Sequence, residues 1–178
     1  MTNQQVLDDL RLLTEKHIEQ LQRIKELPIA QLEYTPTLEQ WNILQCAAHL
    51  NHYFDFYLPQ FTVATKLHIS TSNQEFNPGI VGNYFANVLQ YKENQKKIKS
   101  PKHTNPINNN NLSIVVLSEM ENNLITLKEI ISIIPIEVLN KKGITTMFST
   151  WFKLKIADGL RIVVYHNDRH FHQINKLL

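Results

Sequence analysis

Phe152-Lys-Leu-Lys-Ile-Ala-Asp-Gly-Leu-Arg-Ile-Val-Val-Tyr-His-Asn-Asp-Arg-His-Phe-His-Gln-Ile-Asn-Lys176 decides how this chain is read. Ile156, Gly159, Val163, His166, His170, Gln173 and Leu177 recur at steps of three and four, which predicts a long amphipathic helix over residues 152–176. Two seam slots that call for Leu or Ile hold His166 and His170 instead. Four residues apart on a helix, the two rings project from one face, so their nitrogens can converge on one point.

Working outward, the same pattern appears upstream. A helix over residues 41–67 carries the seam Cys46, His49, Tyr53, Phe56, Val63, Leu67, with Gln60 in the gap and Pro59 expected to bend it. His49 again stands where an apolar residue belongs. A helix over residues 3–26 presents Val6, Leu10, Leu13, Leu21 and Ile24, with His17 on the same stripe, and Leu27-Pro28 stops it. The connector over residues 28–40 contains a short turn, Ile29–Leu32. A further helix after Leu112-Ser113 has the cleanest heptad, Leu117, Met120, Leu124, Leu127, Ile131, Ile134. Ser113 is expected to cap it, with Leu112 against Leu117 as a staple. Pro135 and a Lys141-Lys-Gly143 turn come after it. Residues 68–112 are the least regular part, with turn chemistry at Pro78-Gly79, Pro101, Pro106 and Asn108 to Asn111 and a short helix over residues 81–97. Four long amphipathic helices predict an all-α fold, a four-helix bundle spanning residues 1–178 as a single domain.

Composition narrows the function. The 178 residues suffice for one core, and the 43% hydrophobic and 19% charged fractions are those of an ordinary soluble globular protein. A formal charge of +2 is too small to suggest a nucleic-acid partner, and the one basic cluster, Lys92, Lys96, Lys97, Lys99 and Lys102, has only Tyr91 as an aromatic neighbour. Cys46 is the single cysteine, so no internal disulfide forms and a reducing compartment fits. With no basic segment leading into an apolar stretch at the start, and no apolar run long enough to span a bilayer, a cytoplasmic protein without a membrane partner is expected.

Three imidazoles in two helix seams carry the functional argument. A polar group in a bundle core costs a few kcal/mol unless partnered, roughly 1–3 kcal/mol by mutational measures. Each neutral ring offers one donor and one acceptor, so three of them satisfy one another poorly, whereas a divalent ion satisfies all three. His49, His166 and His170 are therefore the candidate metal ligands, and such a set leaves a zinc-like ion with an open position. The alternatives stand beside it: a chance His-x-x-x-His, or core histidines bonded to backbone carbonyls. His52 reads as flanking, His68 and His172 as exposed, and His103 as part of a loop. His17 faces inward as a core histidine or a contact to the site. Cys46, one turn before His49, is a fourth ligand or a small buried apolar residue. Asp168 lies half a turn off the seam and points outward, while Arg169 and Gln173 orient the helix or a ligand histidine. The zinc-protease base is missing, since Asn167 stands where that motif has Glu.

Trp41-Asn-Ile-Leu-Gln-Cys-Ala-Ala-His49-Leu50 and Tyr165-His166-Asn-Asp-Arg169-His170-Phe-His-Gln173-Ile174 resemble the two signature motifs of the DinB/YfiT-like superfamily, in the same order and over essentially the whole chain. The resemblance implies up-down-down-up connectivity, often a dimer, and a divalent metal, zinc or nickel being expected, on His49, His166 and His170. It further implies a metal-dependent enzyme that uses a low-molecular-weight thiol, as an S-transferase that joins the thiol to a small-molecule electrophile or as an isomerase of the maleylpyruvate kind. A metal-dependent hydrolase and a non-catalytic bundle that binds a protein partner are the other readings of the same residues.

Overall fold

Thr2 and Asn42 start two of the long helices in the same way. The Thr2 hydroxyl accepts the Gln5 amide at 3.2 Å while the Gln5 side chain accepts the Thr2 amide at 2.8 Å. Asn42 and Gln45 repeat this reciprocal box at 2.8 and 3.0 Å. Each box satisfies two of the amides that a helix start leaves free. The helices so opened are α1 (Asn3–Lys25) and α3 (Ile43–Ala64), joined through the one-turn α2 (Ile29–Leu32). The computed structural model describes residues 1–37, 39–70, 75–93, 100–101, 104–107, 109, 111–147 and 149–178. Among them the chain continues with α4 (Ile80–Leu89), α5 (Val115–Ile133), a 3-10 turn (Ile136–Val138), the strands β1 (Lys142–Thr146) and β2 (Ser149–Lys155), and α6 (Ile156–Asn175). The fold is mostly helical, in the all-α class the seams predict.

Helix α1 packs against α5 and α6, and α3 packs against the same two. The α5 seam is buried as expected from Leu117 to Ile134. In α3 the burial is broader. Ile43, Leu44, Cys46 and Ala47 are all buried, because the start of this helix is covered on several sides, while Val63, assigned to the seam, is exposed. The helix runs unbroken through Pro59. In α1, Thr14 joins the buried stripe and bonds the Leu10 carbonyl at 2.8 Å, so its hydroxyl is satisfied in the core.

Three expectations are corrected. First, residues 142–146 and 149–155 form an antiparallel pair of strands where a turn and the start of the last helix were expected. The helical seam begins only at Ile156; before it, buried Leu154 alternates with exposed Lys153 and half-buried Lys155, a period of two. The hairpin buries Ile144 and Leu154 against the body of the protein. Second, Ser113 does not cap α5 with its side chain; that helix starts at Val115 without a side-chain cap, and Ser113 gives its carbonyl to the Val116 amide at 3.2 Å. Third, the short helix ends at Leu89, well before Lys97. Residues 94–99 lie outside the described residues, as do Lys102, His103, Asn108 and Asn110.

Asp158 explains how α4 is held. This buried carboxylate, in the first turn of α6, accepts the Gly79 amide at the start of α4 at 2.7 Å and pairs with Arg161 at 3.3 Å. One negative charge thus serves two helix N-termini. Arg161 continues to Asn83 at 3.0 Å and Asn87 at 3.4 Å. A Cβ on Gly82 would lie 2.5 Å from the Asp158 side chain, so the close approach of α4 to α6 requires glycine there. Among the described residues, no helix is long and apolar enough to cross a membrane.

Candidate metal centre

Helices α3 and α6 bring their seams together at His49, His166 and His170, which are 3%, 6% and 8% exposed. One nitrogen of each lies within 4.8 Å of the other two. The Nε2 atoms of His49 and His166 are 3.3 Å apart, and those of His170 and His166 are 3.1 Å apart. The spacing in α6 stacks its two rings on one face, and the packing of α3 on α6 supplies the third.

The outer nitrogens decide the protonation. His49 Nδ1 lies 2.8 Å from the Thr104 carbonyl oxygen, which can only accept, so the proton sits on Nδ1 and Nε2 keeps its lone pair. His170 Nδ1 donates in the same way to Gln173 Oε1 at 3.1 Å. His166 Nε2 therefore faces two bare nitrogens and has at most one proton to offer. Burial pushes all three rings towards neutrality; His49 is held down to about 4, and His166 and His170 well below the usual histidine value, with charge on His170 and His49 adding to the effect at His166 and charge on His49 adding to it at His170. His166 Nδ1 is buried with no hydrogen-bond partner. Neutral imidazoles with converging lone pairs are the donor chemistry of a divalent first-row ion, and the residues present fit one.

The surroundings come from a segment whose reading gave only a loop. Three side chains four residues apart, Trp41 just before α3 and Gln45 and His49 on its first turns, reach residues 104–107. Trp41 Nε1 donates to Asn105 at 3.1 Å, Gln45 to the carbonyls of Pro106 and Ile107 at 3.2 and 3.3 Å, and His49 to Thr104. The Trp41 ring stacks on His170 at 5.7 Å and tilts against His49 at 4.7 Å. Tyr53 packs on His166 with ring centroids 4.3 Å apart and tilts against His49 at 4.9 Å. Thr104 contributes through its backbone carbonyl, which no residue-type motif records, so its role was invisible in the sequence.

The other candidates fall elsewhere. Cys46 is fully buried outside the three-histidine group, and burial pushes its thiol up to about 12. His52 and His68 are exposed. His172 is half-buried rather than exposed; it stacks on Tyr91 at 3.7 Å and bonds the Asp168 carbonyl at 2.8 Å. Asp168 does not point outward. Its carboxylate meets His17 Nε2 at 3.2 Å, which joins α6 to α1, and His17 stacks on Phe171 at 4.6 Å. Burial pushes the Asp168 carboxyl up, but the hydrogen bond from His17 and nearby positive charge outweigh it and leave it below the usual range. Gln173 does hold a candidate ligand, as the sequence suggested, while Arg169, half-buried, depresses the charged forms of His166 and His170 by its own charge. Compared with known proteins, the chain matches no family model, no curated protein and no solved structure.

Proposed function

We propose that this protein is a metal-dependent enzyme in which His49, His166 and His170 hold one divalent ion, zinc or nickel, and that it transfers a low-molecular-weight thiol to a small electrophile. The observation that carries the reading is the convergence of three Nε2 atoms with no fourth protein donor in the group among the described residues. A structural zinc is usually closed by a fourth ligand, and an open position is the mark of a catalytic one. When bound, the ion supplies a Lewis acid that lowers the pKa of a thiol or water beside it. The thiol half of the reading rests on the resemblance of the two histidine motifs to the DinB/YfiT-like superfamily, as does the up-down-down-up arrangement of α1, α3, α5 and α6.

The chain's own residues have separate tasks. Thr104 and Gln173 fix the tautomers of His49 and His170, so that both present bare Nε2 atoms. Trp41 and Tyr53 exclude water from the rings and offer apolar surface to an organic electrophile. The His17–Asp168 pair braces α6 between its two candidate ligands.

The test is conjugation of a small thiol to a haloarene by the metal-loaded protein, with the apo form and His166→Ala expected to be inactive. In a cobalt-substituted protein, added thiol should produce a sulfur-to-metal band. A cobalt spectrum that ignores thiols and changes with pH would instead assign the site to a hydrolase, which needs the same three ligands. Silence in both tests would leave a non-catalytic bundle.

A further inference from the structure

Helix α4 and the hairpin present an apolar face that no described residue of the chain covers. Residues 76–91, which contain α4, include no charged side chain. Only Gly82 and Ala86 of this helix are buried, against α6, and the opposite side carries Ile80 (93% exposed), Tyr84 (64% exposed), Val81 and Phe85. The hairpin lies beside it: α4 and β2 touch, and Lys155 Nζ donates to the Asn77 carbonyl at 2.7 Å. From the hairpin, Trp151 stands 98% exposed, with Phe152 partly so. Large aromatic side chains bury about 150–250 Å² each when covered, so exposed Trp151 and Tyr84 together leave on the order of 300 Å² in water, the scale of a functional apolar patch, roughly 300–600 Å².

Charge says what covers it. The hairpin carries Lys141, Lys142, Lys153 and Lys155, and residues 138–157 contain no acid. Of the acids around this stretch, Asp158 is buried and paired with Arg161 and the Gly79 amide, while half-buried Glu137 and exposed Glu75 lie at the hairpin base, so the lysines remain in excess on the hairpin itself. Two copies pairing through this face in a symmetric contact would set lysines against lysines, at a cost. An anionic bilayer surface suits both components. Trp, Tyr and Phe settle at the headgroup boundary, and lysines beside them are attracted to acidic headgroups.

We infer that α4 and the β1–β2 hairpin form a docking face for the surface of an anionic lipid bilayer, into which Trp151, Ile80 and Tyr84 insert while the hairpin lysines meet the headgroups. The contact is interfacial, consistent with the lack of a membrane-spanning helix among the described residues. It departs from the expectation, drawn from the sequence, that no membrane is a partner, and it is independent of the metal centre.

The test uses the full chain with vesicles of phosphatidylcholine alone or mixed with phosphatidylserine. Co-sedimentation is expected with the mixed vesicles, weakening with salt. Trp41 and Trp151 are the two tryptophans, so insertion should blue-shift the emission in the native protein, and Trp151→Phe should bind while losing that shift. Lys142→Gln with Lys153→Gln should weaken binding about 30-fold, and Ile80→Asp with Trp151→Asp should abolish it. Circular dichroism unchanged from the native protein confirms that each variant is folded. Absence of binding to the phosphatidylserine vesicles overturns the proposal. So does a dimer in sedimentation that Ile80→Asp dissociates, which would give the face to a second copy.

Discussion

His49 Nδ1 donates to the Thr104 carbonyl at 2.8 Å across 55 residues of sequence, and this one bond fixes which nitrogen of His49 faces His166. It leaves the inner nitrogen bare, as the Gln173 bond does for His170. An apo core holding such a cluster keeps at least one pair of lone pairs in opposition. A divalent ion would relieve that opposition by accepting from all three rings at once.

The purified protein should carry about one zinc or nickel ion per chain, because neutral imidazoles suit both. His170→Ala should lose most of it, while His52→Ala, which alters an exposed ring outside the group, should keep it. Elemental analysis of the two variants decides the matter. Equal metal in both would sink the ligand assignment.

Gln173→Leu removes the acceptor on His170 Nδ1 without touching an inner nitrogen. Losing such an outer partner typically weakens metal binding by about 10–100-fold, so a chelator competition should show that drop with the helical content unchanged. Affinity equal to that of the native protein would mean that the bond does not orient the ring.

Acid should destabilise the apo protein over a defined range. Burial holds His49 down to about 4 against an ordinary value of 6.5. As pH falls through that window the unfolded chain takes up a proton that the folded chain does not, so stability falls with pH and the His49 contribution levels off below about 4. The difference corresponds to about 3 kcal/mol for His49, with further loss from His166 and His170, whose shifts have the same sign. Urea midpoints of the apo protein measured from about pH 7 down to about pH 5 should decline steadily. A flat profile there would contradict the buried, neutral state of the cluster.

Gly82→Ala should cost about 1–3 kcal/mol, since its Cβ has no room beside Asp158 and overpacking forces one element to move. Gly143→Ala is the comparison. Its Cβ would meet Ile156 at an ordinary 3.5 Å, and denaturation should show little change. Equal effects at the two sites would deny the close seating of α4 on α6.

The residues by themselves determined the helices whose burial is one-sided and regular. The seam read from Leu117 to Ile134 is buried at each of its positions, with Ile130 added beside it, the turn read at Ile29–Leu32 is where α2 forms, and the intrusion of His49, His166 and His170 into two seams gave the candidate ligands, because periodicity alone shows where a polar residue is out of place. Tertiary structure decided the rest. Residues 149–155 became a strand because β1 was available to pair with them and the core to bury Leu154, although the seam of α6 could be extended over them on paper. The Asp168 carboxylate turned inward because His17, 151 residues away, offered a partner. Thr104 came to hold His49 through a peptide carbonyl that every residue possesses. A sequence records side-chain type and local period, whereas pairing between distant segments, and the use of backbone atoms as ligands' partners, exist only once the chain has closed on itself.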